Sequence, residues 1–202
     1  MNSTRLITLT ALMLAITVTF AWGQVTETIL EQAGANRSEI ERAIDTVDDA
    51  HRAALLWMLE HMPADDLESL DADFLLENIR LARQAWQNAP WHGQVDLELY
   101  RDAILPYACV NETRERWRRE LRETAGALIA NSTTISEAAT TLNRKLFTKV
   151  GVKYSTGRKK TDQSPSESME TGLASCTGLT ILLVDACRSV GVPARFTGTA
   201  LW

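Results

Sequence analysis

The stretch Gly172 to Arg195, GLASCTGLTILLVDACRSVGVPAR, constrains this chain more than any other part of it. Ser175 supplies an N-cap oxygen, Gly191 stands where a left-handed C′ residue belongs, and Pro193 follows. Start and stop signals therefore bracket a helix from about Cys176 to Val190. Its interior (Leu179, Ile181, Leu182, Leu183, Val184, Ala186, Val190) is apolar on nearly every side, with Asp185 as the one charge before Arg188. Such a helix is buried in a core rather than laid on a surface, so a thiol opens a rigid, central element.

Position gives that thiol its chemistry. Unpaired N–H groups and the positive end of the helix dipole favour a thiolate, the nucleophilic form of cysteine. The neighbours Ala174, Ser175, Thr177 and Gly178 are small, so a substrate carbonyl can approach the sulfur. The N–H groups of Cys176 and Thr177 are then placed to face a developing oxyanion. The structural alternative is a small buried cysteine that merely begins a helix.

This stretch resembles the transglutaminase-like superfamily of cysteine enzymes. There a small-residue turn delivers the nucleophilic cysteine to the start of a central helix, which ends in a Gly-x-Pro-Ala-Arg turn, here Gly191 to Arg195. The upstream run VKYSTGRKKTDQSPSESMETGLASC also looks like the approach to the nucleophile in bacterial members, and the likeness covers about Leu142 to Trp202. The resemblance implies a small antiparallel sheet after the turn and acyl transfer through a Cys176 thioester, at a glutamine side-chain amide or a peptide bond. In the family a histidine and then an aspartate, both after the cysteine, activate it. No histidine follows Cys176 here; His51, His61 and His92 all lie upstream. The expectation is a chain cut after the nucleophile helix and inactive by itself, with base and orienting aspartate encoded beyond Trp202. The rival is a non-catalytic binding or scaffold module on the same fold.

Upstream of the cysteine, Thr133 or Thr134 caps a helix through Leu146 and Phe147, and Val150 to Tyr154 is a short extended piece. Some twenty polar residues then lead to Cys176, and a loop of that length in a compact domain is usually functional or disordered. It reads as one wall of the substrate cleft, with Ser175, Glu167 and Arg158 for polar contacts and Gln163 as a side-chain oxyanion donor.

Gln24 to about Leu128 reads as a helical region. Ser38 to Glu41 makes a capping box, and Ile40, Ala43, Ile44, Val47, Ala54, Leu55, Met58 and Leu59 recur at helical spacing, predicting one long amphipathic helix up to Pro63. His51 and His61 lie on or beside it as partly exposed residues. Asp71 or Asp73 caps a second helix that ends before Pro90, and Leu97 to Tyr107 forms a short one broken at Pro106. Asn111 to Thr124 is a helix rich in alternating charge, in which Glu112 with Arg116 and Glu115 with Arg119 make i, i+4 pairs on a solvated face. Trp57, Trp86, Trp91 and Trp117 fill core between helices.

Met1 to Gly23 reads as a secretory signal peptide: Arg5 gives the positive n-region, Leu6 to Phe20 the apolar stretch, and Ala21-Trp22-Gly23 small residues at the cleavage positions. A secreted or periplasmic chain, with no membrane attachment after cleavage, follows. A net charge of −5 with no broad basic face makes nucleic acid a poor partner; a protein or peptide substrate is what the resemblance implies. Of the cysteines, Cys176 and Cys187 stand about 16 Å apart along one helix, too far for a disulfide, whose Cα atoms lie within ~7 Å; a Cys109–Cys187 bridge stays open. No C-x-x-C, H-E-x-x-H or Gly-rich phosphate loop occurs, so neither a metal nor a cofactor is expected. The expected fold is α+β: signal peptide 1–23, helical region 24–128, and a partial transglutaminase-like domain 129–202 with an incomplete antiparallel sheet.

Overall fold

The structure, a computed structural model, describes residues 26–197. The predicted signal segment, and any strand beyond residue 197, lie outside them. The described elements are a helix whose described part spans 26–32 (α1), α2 (Arg37–Thr46), α3 (Asp49–His61), α4 (Ala64–Leu67), α5 (Ala72–Asn88), α6 (Leu97–Ala103), α7 (Trp117–Ile129), α8 (Ile135–Val150), β1 (Lys153–Tyr154), α9 (Pro165–Thr171), β2 (Leu173–Ala174) and α10 (Cys176–Ser189). None of the described helices is long and apolar enough to cross a membrane. The chain forms two compact units that divide between Leu75 and Leu76, inside α5.

In the first unit the apolar spacing of Ile40, Ala43, Ile44, Leu55, Met58 and Leu59 does build a core, since all six are buried. The single long helix does not form. Val47 is extended (φ −61°, ψ 134°), and the Asp48 side chain accepts the His51 amide at 3.0 Å, so Asp48 caps a new helix in mid-run. Nor does Ser38 cap α2. It lies inside that helix, whose N-cap residue is Asn36. The Asn36 amide instead donates to the Leu67 and Leu70 carbonyls at 2.8 and 2.9 Å, tying the loop after α4 to the start of α2.

The second unit is arranged around α10, which packs on α7, α8 and α9. Ile181, Leu182, Val184, Ala186 and Cys187 are buried along it, as expected of a core helix. Its end is fixed by Gly191 at φ +75°, whose carbonyl accepts the Trp91 indole N–H at 2.6 Å. Thr134 and Glu137 form the reciprocal capping box that starts α8, and Asp71 accepts the Phe74 amide at the head of α5.

Two features before Cys176 differ from expectation. The polar stretch is not a structureless loop, because Ser164 and Glu167 cap α9 reciprocally with Pro165 at its first position. The described sheet is parallel rather than antiparallel: Lys153 pairs with Leu173 and Tyr154 with Ala174. The connection between these strands contains α9, and a helical crossover returns a chain parallel to its start, whereas antiparallel neighbours need only a tight turn. The fold is α+β, helix-dominated.

The charged run 111–124 is also reorganised. Helix α7 starts only at Trp117. Glu112 is buried and accepts the Cys109 and Val110 amides, while Glu115 reaches across to Ser164 Oγ (2.8 Å) and the Ser166 amide (2.9 Å) at the head of α9. Their expected partners Arg116 and Arg119 both turn to Glu77. A carboxylate holding backbone amides, or set at a helix N-terminus, gains more than an exposed i, i+4 pair offers.

Candidate active site

Cys176 is the first residue of α10 and is exposed, whereas Cys187 is buried and Cys109 half-buried. Ser175 caps the helix: its Oγ accepts the Gly178 amide at 2.9 Å and donates to the Thr161 carbonyl. The Leu179 amide takes the Ser175 carbonyl at 3.0 Å. That leaves the amides of Cys176 and Thr177 as open first-turn donors beside the sulfur. Gly178 lets the turn sit close on its support, because a Cβ there would lie 3.2 Å from Ala174 Cβ and 3.5 Å from Gln163 Cβ.

The structure gives the other predicted residues partners of their own. Gln163 is 1% exposed, and its Nε2 faces the Glu167 carbonyl (3.3 Å), Thr171 Oγ1 (3.3 Å) and the Leu173 carbonyl (3.1 Å). In place of an oxyanion donor it is a prop that holds α9 to β2. Ser175 is buried and spent on capping, so it is not a cleft wall. Glu167 is a local node, accepting the Ser164 amide, pairing with Lys160 at 3.0 Å and taking the Thr113 hydroxyl at 3.0 Å. Burial pushes its carboxyl up, but the Ser164 amide, Lys160 and Thr113 together hold it below the ordinary glutamate value. Arg158 donates to its neighbour Thr156 at 3.0 Å.

Tyr154 was not singled out from sequence. It is 60% exposed, and its β1 register partner Ala174 stands two residues before Cys176. The one available signal is an aromatic ending a very short extended piece, which by itself does not separate a site residue from an edge residue.

The three histidines are engaged elsewhere. His51 Nδ1 lies 2.6 Å from Asp48, His61 stacks on Trp57 with centroids 4.3 Å apart and bonds its carbonyl, and His92 meets the edge of Trp86 at 4.8 Å. Among these contacts none involves Cys176.

A second constellation lies on the buried face of α10. Cys109, Glu112 and Asp185 bring their ligand atoms within 4.8 Å of one another, a donor set of the kind that holds a cation. Here Arg188 supplies the positive charge, lying 3.6 Å from both Cys109 Sγ and Asp185 Oδ1. Both Glu112 oxygens are taken by backbone amides. Fully buried, the Asp185 carboxyl is pushed up to about 8 by desolvation, with Arg188 and Arg118 working against the rise and Glu112 adding to it. Between about pH 4 and 8 the folded chain thus holds a proton that the unfolded chain has released, so stability falls as pH rises through that window, by about 1 kcal/mol per pH unit. The depressed carboxylates (Glu39, Asp48, Glu77, Glu137, Glu167) act in the opposite sense and have finished by about pH 5. Thermal melts from about pH 5 to 8 should show a falling midpoint in the native chain and a much flatter one in Asp185→Asn, whose amide mimics the neutral acid; equal slopes would refute a protonated Asp185.

Residues 122–202 match the family model of the transglutaminase-like superfamily. No curated protein and no solved structure matches the chain.

Proposed function

From the premise that residues 122–202 belong to the transglutaminase-like superfamily, we propose that this protein carries a cysteine acyl-transfer site with Cys176 as its nucleophile. The exposure of the sulfur at the head of a buried helix carries this reading, since it combines access with a rigid mount and two open amides. The sulfur forms a bond to the carbonyl carbon of a glutamine side-chain amide or a peptide bond. The oxyanion that results is met by the N–H groups of Cys176 and Thr177. Its collapse breaks the C–N bond, and the nitrogen leaves with a proton. Water then cleaves the thioester, releasing acid and thiol. Hydrolysis is favoured over cross-linking because water is the default acceptor and no residue marks an amine site. The resemblance calls for a histidine as proton acceptor; the contacts of His51, His61 and His92 are with Asp48, Trp57 and Trp86.

Iodoacetamide at neutral pH, followed by peptide mapping, should label Cys176 well ahead of Cys109 and Cys187. Burial leads the causes that push the other two thiols up, Cys187 to about 12 and Cys109 further. An activated aryl ester should in addition leave an acyl group on Cys176 that hydroxylamine removes and that Cys176→Ala never acquires. Labelling spread evenly over the three thiols, or no acyl group on Cys176, would rule the proposal out.

A further inference from the structure

At the far end of α10 from Cys176 lies a cavity of about 250 Å³. It is walled by Ala89, Trp91, Ile129 and Val190, with Gly126 and Arg122 contributed by one face of α7. The fourteen residues of α10 put it roughly 20 Å from the thiol, so it is not part of the acyl-transfer site. Two observations on α7 set this cavity apart from a packing fault.

Arg122 is the first. Of the three arginines on α7, Arg118 is buried against backbone carbonyls and Arg119 pairs with Glu77, but Arg122 meets no carboxylate among the described residues. An open guanidinium beside an apolar wall lacks its counter-charge, and the planar fork suits a carboxylate. Gly126 is the second. It stands one turn further on, inside the helix, where glycine is weaker than alanine. A Cβ built there meets nothing within 4 Å, so no neighbour demands the glycine. The missing side chain leaves the floor of the cavity open.

We infer that this cavity binds a small carboxylate with an apolar body, the carboxylate on Arg122 and the body over Gly126 against Trp91, Ile129 and Val190. The volume is below the ~300–1,000 Å³ of drug-sized sites, which limits the body to one ring or a short branched chain. The C-terminal ends of α5, α7 and α10 lie beside the cavity and disfavour an anion there, but their field falls off within the last turn. Arg122 sits seven residues before the end of α7, about 10 Å away. The charged head therefore lies at the Arg122 side and the apolar body toward the helix ends.

The Trp91 indole N–H, which donates to the Gly191 carbonyl, is a reporter inside the wall. In amide-correlation NMR of the full chain, phenylacetate should shift it saturably. Phenylacetamide, which lacks the charge, and acetate, which lacks the body, should each bind at least about tenfold more weakly. Arg122→Gln should cost a similar factor. Gly126→Leu, which fills the floor without meeting a neighbour at Cβ, should abolish the shift while leaving a dispersed spectrum. If Gly126→Leu fails to fold, Arg122→Gln still decides. The inference fails if no saturable shift occurs, if acetate or phenylacetamide binds as well as phenylacetate, or if Arg122→Gln leaves the affinity unchanged.

Discussion

Gly191→Ala should destabilise the unit that carries Cys176 by about 2–5 kcal/mol, the sum of two separate costs. Gly191 holds φ +75°, a left-handed conformation that costs a residue with a Cβ about 1–2 kcal/mol. The added methyl would also lie 2.3 Å from the Ala85 carbonyl oxygen and 2.8 Å from its carbon. Backbone atoms of a helix cannot swing aside, so the turn after α10 has to lift off α5, and overpacking of this kind costs about 1–3 kcal/mol. Lifting it also strains the bond from Trp91 to the Gly191 carbonyl. The expected drop in Tm is on the order of 10 °C. Gly126→Ala is the control, since its Cβ meets open space in a helix interior and should stabilise by about 0.5–1 kcal/mol. A Gly191→Ala chain that melts with the native one would show that α10 does not depend on this turn.

How far such contacts can be read from sequence depends on the reach of the signal. Helix α10 is legible because Ser175, Gly191 and Pro193 act within a few residues of the ends they mark. So is α8, through Thr134 and Glu137. The crossover helix α9 has an equally local signature, Ser164-Pro165 with Glu167 three residues after the cap, and recognising it yields the parallel strand pair as well. The break between α2 and α3 is harder, because the apolar spacing runs on through Val47 and only Asp48, an N-cap residue in mid-run, argues against continuity. What no local pattern contains is a partner far along the chain. Glu115 forsakes Arg119 for the Ser164 hydroxyl and the Ser166 amide, and Glu167 takes the hydroxyl of Thr113, each partner some fifty residues away. The position of Cys176 is therefore written locally, while the roles of Glu115 and Glu167 also depend on tertiary contacts.

Arg118 shows that dependence at its largest. Its guanidinium is buried; Nε donates to Asn78 Oδ1 at 2.5 Å, and one terminal nitrogen faces the carbonyls of Ile104, Leu105 and Pro106 at 2.7, 2.9 and 3.0 Å. The segment 104–106 has left α6, and this one side chain reaches all three of its carbonyls; Leu105 also accepts from Asn78 Nδ2 and Pro106 from Arg188, while Ile104 has Arg118 as its side-chain donor. Arg118→Met keeps the bulk of the stem and removes every donor. Unpaired buried acceptors cost about 1–3 kcal/mol each, and breaking a buried charge network costs about 3–5 kcal/mol in all. Asp185 would also lose one of the two cations that oppose its rise, leaving Arg188 alone. Against a domain stability of about 5–15 kcal/mol that is a large share. Arg119→Gln, which breaks only an exposed pair with Glu77, should cost less than about 1 kcal/mol. Urea unfolding of both variants separates the cases, and iodoacetamide gives a second readout, since Cys109 and Cys187 should become reactive at lower urea in Arg118→Met than in the native chain. Equal midpoints for the two arginine variants would mean that the carbonyls of 104–106 find other donors and that Arg118 is not what holds this segment to α7.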